Sequence, residues 1–280
     1  MTGHKLEIVV LAENSVRGPG LLGEHGLAFL INADGHSLIF DTGQGKVLGE
    51  NARRLGIRLG GIEAVAISHG HYDHTGGLHT ALTRAPQARV YLHPAALHAK
   101  FSRQPVPPHR SIGIPRADKR SVQSRESNAI WTTRPSEIVP AVHVTGEIPR
   151  MTSFEEVGGP FFLDLTCTQP DPLADDQALY IESARGLVVL LGCGHAGVVN
   201  TLKYVSQITG RKRIHAVLGG MHLLRASRKR IEATGDALER FRVRVLAPGH
   251  CTGSAAVAYF WNRFPSRTVE CATGSHFVFQ

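Results

Sequence analysis

Residues 66–78, AISHGHYDHTGGL, place three histidines and an aspartate (His69, His71, Asp73 and His74) within six positions, directly after an apolar run. Imidazole and carboxylate are the side chains that hold zinc, iron or manganese through nitrogen and oxygen donors. In an extended segment residues two apart point the same way, so His69 and His71 share a direction. A bend after them turns Asp73 and His74 toward an adjacent position. That arrangement suits two metal ions sharing one short loop. A lone histidine is usually a packed or surface residue. With 16 histidines in the chain, however, H-x-H-x-D-H arises by chance in roughly one such sequence in several hundred. The cluster therefore reads as metal-binding chemistry.

Three further histidines each follow an apolar run that closes near a glycine: His195 in LVVLLGCGHAG, His222 in HAVLGGMHLL and His250 in VRVLAPGHCTG. The repetition implies that several strand ends converge on one cleft. His195 and His250 are assigned as metal ligands beside the motif, and His222 as a residue that orients a ligand or touches substrate. Asp41, in LIFDTGQG, fits either a carboxylate that orients a ligand histidine or a turn-forming aspartate. Cys193 and Cys251 flank the histidines and are read as small packing residues. One or two divalent ions are expected, zinc first and manganese or iron as alternatives. Such ions lower the pKa of bound water to about 7 and so support hydrolysis, or they neutralise a phosphate leaving group. Asp73 is the carboxylate able to double as ligand and proton acceptor. Arg150 of GEIPR and Arg116 of GIPR offer guanidinium forks for a phosphate.

The elements that must position these residues follow from hydrophobic period and turn chemistry. KLEIVVLAE reads as a strand, and LAFLINADGHSLIFDTG as a hairpin turning at Asp34-Gly35. KVLGENARRLGI and GGLHTALTRAP have helical spacing, while GIEAVAIS and ARVYLHP read as strands. The same order returns later: QALYIESARGLVVLLG as a hairpin, GVVNTLKYVSQITG as a helix, then RIHAVLGG, RIEATGDALERF and VRVLAPG. An α/β chain of two similar halves, about 1–140 and 141–280, is expected to form one domain over 1–280. Residues 101–130 show no clear period and are expected to be a lid or insertion loop.

At 280 residues and 42% hydrophobic composition the chain is an ordinary globular protein. No apolar run approaches the roughly 18 residues of a membrane span, and MTGHKLEIVVLAENS lacks a secretory pattern, so a cytoplasmic location is expected. The four cysteines have no C-x-x-C spacing and are expected to be reduced thiols. A net charge of +8, with basic residues mainly in 110–125 and 223–230, points to a small anionic substrate. Nucleic acid is disfavoured, because 6% aromatic content without a basic stripe offers few stacking platforms. A homo-oligomer is compatible with the composition.

The motif His69, His71, Asp73, His74, preceded by FDTG and followed in order by GCGHAG and PGHCTG, resembles the metallo-β-lactamase fold superfamily over nearly the whole chain. The resemblance implies an αββα four-layer sandwich of two pseudo-repeated halves with the metals at one edge of the sheets. It also implies His69 and His71 on one metal and Asp73, His74 and His250 on the other, with His195 between them. The family's third histidine for the first metal is replaced here by Glu147 in VHVTGEIPR, so that site is completed by His195, by Glu147, or left weak. His143 in the preceding strand is read as packed. SHGHYDHTGGL, GEIPR, LLGCGHAGVVNT, LGGMHL and HCTG together resemble the dihydropterin branch. That branch implies a phosphorylated or pterin-like substrate and either hydrolysis or pyrophosphate-releasing transfer to an aminobenzene riboside phosphate. Two alternatives remain, a di-iron redox protein and a non-catalytic metal-binding module. The first is opposed by His71, where flavodiiron-type proteins carry glutamate, and the second by intact Asp73 and His74.

Overall fold

The computed structural model describes residues 5–280. Its strands run β1 (Leu6–Ala12), β2 (Ala28–Ala33), β3 (His36–Phe40), β4 (Ala64–Ala66), β5 (Arg89–Leu92), β6 (Phe101–Ser102), β7 (Arg110–Ser111) and β8 (Ala129–Trp131). They continue as β9 (Ser136–Val139), β10 (Val142–Val144), β11 (Phe161–Phe162), β12 (Ala178–Ser183), β13 (Gly186–Leu191), β14 (Ile214–Gly220), β15 (Val245–Gly249) and β16 (His276–Phe279). The helices are α1 (Leu48–Arg54), α2 (Tyr72–Thr75), α3 (Leu78–Arg84), α4 (Arg116–Gln123), α5 (Val198–Thr209), α6 (Arg228–Arg240) and α7 (Ser254–Arg263).

A seven-stranded sheet has the order β16-β1-β2-β3-β4-β5-β8, and a six-stranded sheet the order β15-β14-β13-β12-β10-β9. The first is antiparallel from β16 to β3 and parallel from β3 to β8. The second is antiparallel from β9 to β13 and parallel from β13 to β15. Each sheet thus changes sense at one hairpin strand, β3 or β13. In the first hairpin Asp34 and Gly35 both take positive φ, 48° and 91°, as a two-residue turn that matches strand twist requires. Parallel neighbours need crossovers, and here α1, α3 and α4 cross one sheet and α5 and α6 the other.

Three apolar layers hold this together. Phe29, Phe40, Leu190 and Leu218 belong to the core between the sheets. Leu48, Leu78 and Leu82 pack with Ile39 and Val65 on the outside of the first sheet, and Val198, Leu202 and Phe260 with Val189 and Val217 on the outside of the second. Spacings of three and four along each helix put those residues on one face. Because β13 is covered on both sides, GLVVLL is an unbroken buried run after its first residue. The result is the αββα sandwich. No helix among the described residues is long and apolar enough to cross a membrane.

Two expectations need correction. The halves do not divide cleanly near 140: β9, starting at Ser136, already belongs to the second sheet, and β16 returns from the C-terminal end to pair with β1. Residues 101–130 are not a structureless loop. Residues 101–111 form a ribbon of β6 and β7 that β11 extends. Helix α4 then docks through Val122, and its Asp118 accepts from the His79 N–H at the start of α3, 2.8 Å away. The strands of the ribbon are two residues long, and α4 reads RADKRSVQ with a single aliphatic contact, so neither leaves a hydrophobic period to detect.

One buried polar side chain ties the segment before β2 to this frame. Asn51, fully buried on α1, donates to the Leu11 and Leu22 carbonyls, each at 2.8 Å, and accepts from Leu22 N–H at 2.9 Å. Asn51→Ala strands three backbone groups and is expected to cost about 2–4 kcal/mol, measured by denaturant unfolding. Unchanged stability would show that the segment is held by other means.

Candidate metal centre

The parallel strands β3, β4, β13, β14 and β15 end on the same edge of the sandwich, and Asp41, the motif, Cys193 with His195, His222 and His250 follow those ends in turn. Ligand sites of α/β sheets form there because the strands diverge into loops. After β4 the chain stays extended through His71 and then enters the single turn of α2, which carries Asp73 and His74. Gly70 allows this course: a Cβ there would collide with the Ala96 carbonyl.

His69, His71 and His195, all buried, bring ring nitrogens within 4.8 Å of one another. His69 Nε2 faces His71 Nδ1 at 2.8 Å. His195 Nδ1 donates to the Val157 carbonyl at 2.8 Å, which leaves Nε2 buried without a partner. Burial pushes the His69 and His195 imidazoles well below their ordinary pKa, and brings His71 down to about 3. All three rings are neutral at pH 7 and carry free lone pairs, the state a metal requires.

The second grouping lies alongside. Asp73 Oδ2 is 3.5 Å from His250 Nε2 and 3.9 Å from His74 Nε2, and the two nitrogens are 3.2 Å apart. His250 Nδ1 donates to Asn14 Oδ1 at 3.0 Å and His74 Nδ1 to Asp41 Oδ2 at 2.7 Å, so both Nε2 atoms turn their lone pairs inward. Asp41 also accepts from Ser68 N–H and Ser68 Oγ, each at 2.7 Å. It thereby fixes the orientation of the His74 ring. Burial opposes a charge on His74, but the Asp41 and Asp73 carboxylates outweigh it and push the imidazole up to about 9. Burial likewise opposes charge on Asp73, yet His74, His25 and His250 hold its carboxyl well below the usual range. A proton on His74 or a metal ion reconciles the inward lone pairs. The donor set fits one or two divalent ions.

The remaining expected residues divide. His222 lies beside the first grouping, 4.2 Å from His195 between ring centroids, and its Nε2 donates to the Gly158 carbonyl at 3.1 Å. Gly158, at φ 87°, leaves no room there for a side chain. Glu147 is exposed and outside every grouping. The third position of the first grouping is filled by His195, which a short turn after β13 delivers. Arg150 is occupied by the His195 and Pro172 carbonyls at 2.6 and 2.9 Å, so it steadies the His195 loop and leaves no free fork for phosphate. Arg116 is exposed on α4 and does not line the cavity. His143 stacks on Tyr180, with centroids 4.9 Å apart. Cys193 and Cys251 are near the site as small residues, but packing does not describe Cys193 fully: its Sγ lies 3.2 Å from His74 Nε2 and takes part in three of the possible ligand groups.

Residues without a sequence signal complete the centre. His25, from the segment before β2, puts Nε2 3.2 Å from Asp73 Oδ2. Lys100, 1% exposed, pairs with Asp171 and Asp175 at 2.8 and 2.9 Å, and the second oxygen of Asp175 accepts from Gly70 N–H at 2.7 Å. Glu155 accepts from the Val199 and Asn200 N–H groups at the start of α5, both at 2.9 Å, and so brings Val157 to His195. Above the centre opens a cavity of about 730 Å³. Phe161 forms one wall, 5.2 Å from His71 and 5.4 Å from His195 between centroids. Tyr72 lies opposite under Arg110, and Arg103 and Arg225 share the rim.

Asp41→Asn replaces one acceptor facing His74 with a donor. A 10–100-fold loss of metal affinity is expected, read by competition with a chromophoric chelator. Affinity equal to wild type would remove Asp41 from the ligand-orienting role.

Comparison with known proteins agrees with this geometry. Residues 22–149 match the model of the metallo-beta-lactamase superfamily. A 7,8-dihydropterin-6-methyl-4-(beta-D-ribofuranosyl)-aminobenzene-5'-phosphate synthase of Methanocaldococcus jannaschii is 29% identical over 252 residues, covering 86% of this chain and 85% of the relative. A solved metal-dependent hydrolase of the beta-lactamase superfamily is 32% identical, with a TM-score of 0.82 over 97% of this chain and 98% of the other. A metallo hydrolase from Ignicoccus hospitalis shares the fold, with a TM-score of 0.58 at 13% identity over 99% of both chains. These likenesses support a metal-dependent enzyme. The chain belongs to the metallo-β-lactamase superfamily, and its full-length similarity lies with the dihydropterin branch.

Proposed function

We propose that the protein is a cytoplasmic zinc enzyme that transfers a (dihydropterin-6-yl)methyl group from its diphosphate to the amine of an aminobenzene riboside phosphate, releasing pyrophosphate. The observation that carries this reading is the cavity itself, where an aromatic wall and an arginine rim meet directly above the metal centre. When bound, divalent ions there supply Lewis acidity and neutralise charge developing on the departing phosphate. Phe161 offers a flat apolar face to a pterin ring. Arg110 and Arg225 form no ion pair among the described residues; Arg110 is held over the Tyr72 ring and hydrogen-bonds to that side chain, and both guanidinium groups keep donors that match phosphate oxygens. They come from the two basic stretches of the sequence. His25 Nε2 and Asp73 Oδ2, at the cavity edge, share a proton site that can receive the proton of an attacking amine.

Hydrolysis of a phosphate ester is the second reading, favoured by the description of the 32% identical structure as a hydrolase. The two separate in one assay, pyrophosphate release from 6-hydroxymethyl-dihydropterin diphosphate by zinc-loaded protein with and without the aminobenzene acceptor. Release that depends on the acceptor is expected, and Arg110→Ala is expected to lower kcat/KM by about thirtyfold. Release without acceptor, or cleavage only of a generic ester, would contradict the transfer reading.

A further inference from the structure

The strands β13, β14 and β15 are parallel, so the three connections that lead into them gather at the end of the sandwich opposite the metal centre. Register makes the gathering tight: Leu187 pairs with Ile214, and Ala216 with Val245. Arg185, Arg213 and Arg244 sit one or two residues before those pairs. Together with Arg242 and His215 they line a cleft of about 220 Å³.

The cleft concentrates positive charge that no ion pair among the described residues answers. None of the four arginines takes part in an ion pair or a side-chain hydrogen bond among the described residues. Glu239, at the end of α6, is directed instead to Arg263 and Arg267. The backbone that carries the arginines is held in place: Arg244 N–H donates to the His215 carbonyl at 2.9 Å, and Arg242 N–H to the Glu239 carbonyl at 2.9 Å with Arg242 at φ 58°. His215 packs edge-on against Phe279, with centroids 5.8 Å apart. Burial, and then the nearby Arg185 and Arg244, hold its imidazole below its ordinary range. Like charges gathered on fixed backbone repel unless a counter-charge joins them.

We propose that this cleft is a second anion site, which takes a small oligophosphate through Arg185, Arg213, Arg242 and Arg244, separate from the metal centre. Guanidinium forks match phosphate oxygens, and several of them suit a group with more than one phosphate. The small volume favours a compact anion over a polynucleotide, which needs an extended stripe with stacking platforms. The site does not depend on the reading of the metal centre.

The test is calorimetric titration of the metal-loaded protein with trimetaphosphate, a cyclic anion that competes weakly for divalent metals. Arg213→Ser/Arg244→Ser is expected to weaken binding by at least about tenfold, and binding is expected to fall as salt rises. His71→Ala, which alters the metal centre, and Arg211→Ser, an exposed arginine outside the cleft, are expected to bind as wild type does. The substituted side chains are exposed, and an unchanged melting curve will show that the double variant is folded. Undiminished binding by that variant, loss of binding in His71→Ala, or an equal loss in Arg211→Ser would overturn the site. Displacement of trimetaphosphate by single-stranded RNA at lower concentration would overturn the choice of ligand.

Discussion

Imidazole lone pairs that face one another in a buried cluster repel, and the rest of this structure is arranged around that repulsion. His74 and His250 each give their Nδ1 proton away, to Asp41 and to Asn14, which commits both Nε2 atoms to the interior. His195 does the same through Val157. A neutral ring held this way is stabilised by meeting a cation, since burial leaves its Nε2 few other partners. The cost of folding such a centre is offset by metal binding, which ties stability to metal supply.

The sandwich supplies the rigidity this requires. Ligands follow the ends of strands that are buried on both faces, so their backbone positions move only if a core moves with them. Two polar devices then set the loops. Lys100, Asp171 and Asp175 form a buried ionic group whose free oxygen grips the turn between His69 and His71. Such a group gives little net stability and loses much when broken, which suits a part whose value lies in position. Glu155 uses the unsatisfied N–H groups at the start of α5 to anchor the segment that brings Val157 to His195 and Phe161 to the cavity.

Much of this was legible from local pattern. Strand, glycine and histidine recur after β13, β14 and β15, and a short apolar run ending in the histidine motif marks β4, so the fold and the convergence of these histidines follow from short-range signals. The failures share a cause. Glu147, Arg150 and Arg116 have the chemistry a motif suggests, whereas side-chain placement decides their roles: Glu147 faces solvent, Arg150 holds carbonyls, and Arg116 is exposed on α4 away from the cavity. His25, Asn14 and the Lys100 group reach the centre from distant segments with no spacing that announces them. Arg110 and Arg225 lay within recognised basic stretches, but only the tertiary fold selects them from their neighbours. Cys193 looked like filler because a buried cysteine usually is, and only its distance to His74 says otherwise.

The most direct test of the central claim is anomalous diffraction from crystals of the zinc-loaded protein, with data above and below the zinc edge. Two peaks are expected, one among His69, His71 and His195 and the other among Asp73, His74 and His250. Peaks elsewhere, or none at these residues in fully loaded protein, would contradict it.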